Sequence, residues 1–94
     1  MGNAAYKVPG GKLIKISLVE DNGQIQDIKI TGDFFLHPED SIEDLERALI
    51  GKLLQATKLA NIIEDSMKEN KAILLGASPE DIEKCILMAR VKNV

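Results

Sequence analysis

The sequence predicts an α+β fold: a small antiparallel sheet of two or three strands, followed by three helices packed on one of its faces. Three observations carry this expectation. Lys12 to Thr31 alternates apolar and polar side chains about a tight-turn signal, the pattern of two paired strands with one buried face. From Ser41 onward the apolar spacing becomes helical. With 94 residues, 45% of them hydrophobic, the chain supplies one core, and strands followed by helices bury it as two layers.

Residues 1–11 read as a short polar lead closed by a Val8-Pro9-Gly10-Gly11 turn. Lys12 to Glu20 then places Ile14, Ile16 and Leu18 on one side. Asp21-Asn22-Gly23 supplies the left-handed backbone of a tight hairpin, and Gln24 to Thr31 resumes alternation with Ile28 and Ile30. Ile25 has the opposite parity, so either a bulge intervenes or Ile25 packs outside the main core. Gly32 breaks the pattern, and Asp33-Phe34-Phe35-Leu36 is placed to turn back as a short third strand that His37-Pro38 ends. The sheet region is therefore 12–36.

Helices are expected over 41–92. Ser41-Ile42-Glu43-Asp44 resembles a capping box, Ile42, Leu45 and Leu49 form one stripe, and Gly51 is placed to terminate the helix. A second helix, Leu53 to Lys68, carries Leu59, Ile62, Ile63 and Met67 inward. Ala72-Ile73-Leu74-Leu75-Gly76 is too short to classify by period. Ser78-Pro79-Glu80-Asp81 opens the last helix with an N-cap, a proline at the first helical position and acids in the first turn, and Ile82, Cys85, Ile86 and Ala89 line its inner face. The whole of 1–94 reads as one domain.

Composition excludes several functions. A net charge of −3 and only three aromatics, Tyr6, Phe34 and Phe35, argue against a nucleic-acid surface, which needs cations and stacking rings. No apolar run reaches the length of a membrane span and the N-terminus lacks a signal peptide's hydrophobic segment, so a cytoplasmic protein with no membrane partner is expected. Cys85 is a lone cysteine on an apolar stripe and reads as core; an internal disulfide or cysteine-based metal site within one chain is excluded. One histidine, no phosphate-cradling glycine loop and no spaced metal ligands make an autonomous enzyme improbable. The acids Glu39, Asp40, Glu43, Asp44 and Glu46 suit the opening of a helix facing water better than catalysis.

The candidate partner-facing or ligand-facing residues are Lys12, Asp33, Phe34, Phe35 and His37. Gly10-Gly11-Lys12 either delivers an ammonium to a phosphate or carboxylate or is a strand-entry turn with a solvated lysine. His37 either carries a proton, contacts a ligand or is a turn residue before Pro38. In Gly32-Asp33-Phe34-Phe35, an extended backbone sends the two rings to opposite sides, so only one enters the core. Parity with Ile28 and Ile30 points to Phe34 as the core residue unless Gly32 resets the register, and the other ring covers a sheet edge, lies under the N-terminal segment or meets a partner.

These residues carry a resemblance. Tyr6-Lys7-Val8-Pro9-Gly10-Gly11-Lys12-Leu13, the hairpin through Asn22-Gly23, Ile30-Thr31-Gly32-Asp33-Phe34-Phe35-Leu36-His37-Pro38-Glu39-Asp40, the Ile42 to Gly51 helix and Leu75-Gly76-Ala77-Ser78-Pro79-Glu80-Asp81-Ile82 run in order along nearly the whole chain. Together they resemble the C-terminal accessory domain of lipoate-protein ligases, in the form that occurs as a separate polypeptide in some archaea. The Gly-Asp-Phe-Phe segment between a strand and a capped helix is the most specific piece.

The resemblance implies a non-catalytic subunit that joins a large catalytic subunit and is needed for activation of lipoate to lipoyl-adenylate. Lipoate, ATP and magnesium are then used by the complex, none bound by this chain alone, and the lipoyl group passes to a lysine of a lipoyl carrier domain. The resemblance also implies a fold similar to iron-sulfur scaffold and sulfur-acceptor proteins, whose cysteines this chain replaces with Phe34 and Phe35. Two other readings stand beside it: a stand-alone protein-binding module using the same patch, and a sulfur-transfer accessory using Cys85.

Overall fold

The computed structural model describes residues 2–54 and 58–90. Its main sheet has three antiparallel strands in the order β1 (Gly2–Lys7), β2 (Leu13–Asp21) and β3 (Gln24–Gly32). The expected polar lead is thus an edge strand: Asn3, Ala5 and Lys7 alternate outward while Ala4 and Tyr6 pack against the core. Small, weakly apolar side chains hid this strand from the hydrophobic pattern, because its packing against β2 gives it a role its own residues barely signal.

Asn22 and Gly23, both at positive φ, form the two-residue turn between β2 and β3. The register slips between Val19, which faces Asp27, and Glu20, which faces Ile25, so a bulge returns Ile25 to the core side, where it is fully buried. Of the two alternatives for Ile25, the bulge is correct. The inner face carries Ile14, Ile16, Leu18, Ile28 and Ile30.

Three helices follow among the described residues: α1 (Ser41–Leu49), α2 (Leu59–Glu69) and α3 (Pro79–Met88). α1 packs on β3, α3 on β1 and β2, and α2 against both helices. The core is aliphatic apart from Cys85, with Leu45, Leu49, Leu59, Ile63, Ile82 and Ile86 facing the sheet residues. No helix among the described residues is long and apolar enough to cross a membrane.

Three local expectations are corrected. Ser41 is not an N-cap: Asp40 holds that position without a side-chain bond, and the amides of Ser41, Ile42 and Glu43 are taken by the carbonyls of Pro38, Glu39 and Asp40 in a preceding tight turn. That turn satisfies donors a capping side chain otherwise serves. The second helix starts at Leu59 rather than Leu53. Gly51 to Leu54 instead runs along the free edge of β3, with bonds from Gly51 N to Ile25 O, Ile25 N to Lys52 O and Leu54 N to Gly23 O. Edge pairing outweighs local helix preference there, since β3 otherwise presents unpaired backbone groups. The segment 55–57 and the expected end of the helical region at 92 lie outside the described residues.

The third correction concerns the short strand expected after Gly32. Strand β4 (Phe35–His37) does not join the main sheet; it pairs antiparallel with β5 (Ile73–Leu75), the stretch that periodicity left unclassified. Two strands thus lie outside the expected sheet region 12–36: β1 within the stretch 1–11 read as a lead, and β5 within the stretch 41–92 read as helical.

Candidate functional site

The β4–β5 ribbon has two unlike faces. Leu36 and its partner Leu74 turn inward, Leu36 buried and Leu74 half-buried against the core. Phe35, His37, Ile73 and Leu75 turn outward by the two-residue alternation of paired strands, Phe35 opposite Leu75 and His37 opposite Ile73. Phe35 is 52% exposed, and Ile73 and Leu75 are each 57% exposed. The Phe35 and His37 rings stack with centroids 6.0 Å apart and planes within 6° of parallel. Three large apolar side chains and an imidazole on one short ribbon form a contiguous apolar patch, the signature of a contact surface rather than of scattered exposed residues.

Phe34 sits on the other side of the same backbone, half-buried and packed against the core. Its ring lies beside Gly32, whose φ of +152° and bare Cα allow the chain to turn from β3 into β4; a Cβ there would stand 2.2 Å from the Leu13 carbonyl and 2.9 Å from the Phe34 ring. The sequence-based assignment of the two rings therefore holds, although Phe34 is the less buried of its inward neighbours. Asp33 is exposed at the turn, its amide bonded to Leu13 O.

Lys12 completes the arrangement. Its amide donates to the Gly76 carbonyl, joining the start of β2 to the end of β5. The lysine stem lies over Gly76, where a Cβ would stand 2.5 Å from its Cγ, so only glycine seats it there. Gly76 follows Leu75 directly, which places Lys12 at the Phe35–Leu75 end of the patch. Lys7 Nζ donates to the Gly11 carbonyl and closes the same junction from β1.

Lys12, Asp33, Phe35 and His37 thus gather at one end of the molecule, with Phe34 supporting them from below. Sequence reasoning missed Ile73 and Leu75. Their signal was the apolar run 72–75, whose alternation became legible only once its partner strand was known. Cys85 lies elsewhere, fully buried between sheet and α3, its Sγ 3.6 Å from Ile14 O and 3.8 Å from Ala4 O. Burial pushes its thiol above the ordinary range, partly offset by the Ile16 and Tyr6 backbones. Among the described residues no three His, Cys, Asp or Glu side chains converge in a set able to hold a metal ion.

Comparison with known proteins adds an independent line. Residues 3–86 match the family described as Bacterial lipoate protein ligase C-terminus. The chain is 44% identical over 69 residues to lipoate-protein ligase A subunit 2 of Thermoplasma acidophilum, covering 73% of this chain and 70% of that protein. A solved structure of an archaeal lipoylation system from the same organism, described as a bi-partite lipoate protein ligase and its E2 lipoyl domain, contains a chain that superposes with a TM-score of 0.70 at 38% identity. That superposition covers 97% of this chain and 93% of the other.

Proposed function

The chain belongs to the lipoate-protein ligase C-terminal family, and on that premise we propose that it is the small, non-catalytic subunit of a two-chain lipoate-protein ligase. In this reading a separate large subunit docks on the ribbon of Phe35, His37, Ile73 and Leu75, and the assembled pair activates lipoate with ATP and magnesium to lipoyl-adenylate before transfer to a carrier-domain lysine. The observation that carries it is the exposed apolar ribbon on a chain whose relative is itself a second subunit.

The chemistry available to this chain is limited and definite. Beyond the imidazole of His37 the ribbon offers no nucleophile or base, so in this reading the chain's contribution to adenylation is to order the partner's loops, exclude water and place charge. The stem of Lys12 is seated over Gly76 at the rim, and in this reading its ammonium reaches the partner's active site, where anionic phosphates gain from a fixed cation. Nucleotide, lipoate and magnesium are handled by the large subunit. A sulfur-transfer role is not favoured, because Cys85 is sealed in the core.

The test is reconstitution: the chain is mixed with a candidate large subunit and pyrophosphate release from lipoate and ATP is followed. Release should require both chains and fall with the loss of association in Phe35→Ala. Full release by the large subunit alone would overturn the proposal.

A further inference from the structure

The main sheet finishes its two edges differently. Along β3, residues 51–54 and the Glu46 carboxylate bond to the outward backbone groups. Along β1, no chain among the described residues pairs with the outer edge, and β1 runs beside β2 from Gly2 to Lys7 without a register shift. It carries no proline, and its one charge, Lys7, stands at its end. Alternate residues of an edge strand direct their amide and carbonyl outward, an arrangement that another extended backbone completes. The helix above is unpartnered on the same side. α3 packs on both β1 and β2. Its Glu83 reaches across to the start of α2, whereas Lys84 lies over the Tyr6 ring of β1, with Nζ 4.8 Å from the ring centroid. Glu80, Lys84 and Met88, at four-residue spacing, thus form the row of α3 on the β1 side, and all three are exposed.

A second copy of the chain matches both the edge and the helix row. Two β1 strands related by a twofold axis normal to the sheet run antiparallel, and their side chains keep to matching faces only when one residue lies opposite itself. About Ala5, Tyr6 stands opposite Ala4 of the other copy on the helix side and Lys7 opposite Asn3 on the open side, so a ring covers a small side chain and no two charges face. About Ala4, Tyr6 would stand opposite Gly2, which has no side chain to pack. The layer above agrees. Because α3 straddles β1 and β2, its axis lies about half a strand spacing inside the edge, and a new ladder of about 4.8 Å sets the two α3 axes about 10 Å apart, the separation of packed helices. The row of Glu80, Lys84 and Met88 has one charge of each sign, so it meets its antiparallel copy without net repulsion. We infer that β1 is a self-association edge: two copies pair antiparallel about Ala5, joining their three-stranded sheets into one with the α3 helices side by side. A lone extended segment of another protein satisfies the backbone edge but leaves the α3 row bare; a second copy covers both. The contact uses none of the ribbon residues and is independent of the two-chain reading. A six-residue edge and one helix row make a contact below the standard interface size, so the association is weak.

The experiment uses the full chain. Sedimentation equilibrium from micromolar to millimolar concentration should show a shift from one chain to two, and amide exchange over Asn3 to Tyr6 should slow across the same range. Ala5→Glu and Ala5→Lys each set like charges opposite one another on the axis and should weaken self-association about fivefold. An equimolar mixture of the two variants sets opposite charges together and should associate at least as tightly as the unaltered chain. Ala5 is exposed on the open side of the sheet, so both variants should keep the fold, which circular dichroism checks. A single chain at millimolar concentration overturns the inference, whatever the variants do. So does association that both folded variants leave unchanged, or a loss that mixing them does not rescue. Slowed exchange of the β1 amides only on addition of a large subunit gives the edge to that subunit and overturns it as well.

Discussion

Phe34 and Phe35 share one stretch of backbone and face opposite environments, so truncating each has a different effect. Phe35→Ala removes an exposed ring and should leave the melting temperature nearly unchanged while weakening association with the large subunit by about 2 kcal/mol or more, roughly thirtyfold in Kd. Phe34→Ala opens space beside Gly32 and should cost about 2 kcal/mol of stability, below the ~3–5 kcal/mol of a fully buried ring because Phe34 is only half-buried. Thermal melting of both variants beside titration against the large subunit checks this, and equal loss of stability with unaltered binding would make the segment purely structural. Cys85 gives a second prediction. Its thiol is raised in the folded state, so above the ordinary thiol range of about pH 8.5 the unfolded chain releases a proton that the folded chain keeps. Stability from this group is present below that pH and is lost as pH rises through it. The alkaline slope of the unfolding free energy should be shallower in Cys85→Ala, and iodoacetamide should label Cys85 only on unfolding, both read by denaturant melts with mass spectrometry.

Among the elements, one helix end is completed locally while another, and the edge of β3, are completed by groups far away in sequence. α3 is self-sufficient: Ser78 Oγ accepts from the Asp81 amide at 3.2 Å and the Asp81 carboxylate accepts from the Ser78 amide at 3.0 Å. α2 has no such device at Lys58; Glu83 of α3 accepts from the Ala60 amide at 3.0 Å and brings a negative charge to the positive end of the helix dipole. Glu83→Ala should therefore cost about 1 kcal/mol, lowering the melting temperature by roughly 4–8 °C, and should speed hydrogen exchange at Ala60. Glu83→Gln should retain part of that stability through its carbonyl oxygen. Glu46 serves the outer edge of β3 similarly, accepting from the Ile30 amide at 2.7 Å, and Arg90 ties the end of α3 to Glu20 on the hairpin at 3.0 Å.

For the whole molecule, the proposed function rests on a surface contact with a second chain. The apolar ribbon ends at the glycine-bearing junction where Lys12 sits, its amide bonded to the Gly76 carbonyl. The isolated chain, purified free of ligase, should form no lipoyl-adenylate from lipoate and ATP. Cys85→Ala should leave activity of the reconstituted pair largely intact, because the side chain serves the core. Adenylate made by this chain alone, or collapse of activity in a Cys85→Ala variant that still folds and still associates, would contradict these expectations.

The sequence by itself determined what depends on near neighbours along the chain: the hairpin at Asn22-Gly23, the inner face of β2 and β3, the capped start of α3, and the opposite orientations of Phe34 and Phe35. Tertiary structure decided what depends on distant partners. β1 is a strand because β2 offers it an edge, residues 51–54 leave the helical pattern because they bond to the free edge of β3, and Ile73 and Leu75 face outward because β4 pairs with β5. The candidate site follows the same division, since Lys12, Asp33, Phe35 and His37 were legible as residue types in suggestive settings. Their convergence was not, because it rests on Gly76 accepting the Lys12 amide across more than sixty residues of chain, and no local pattern encodes a contact of that span.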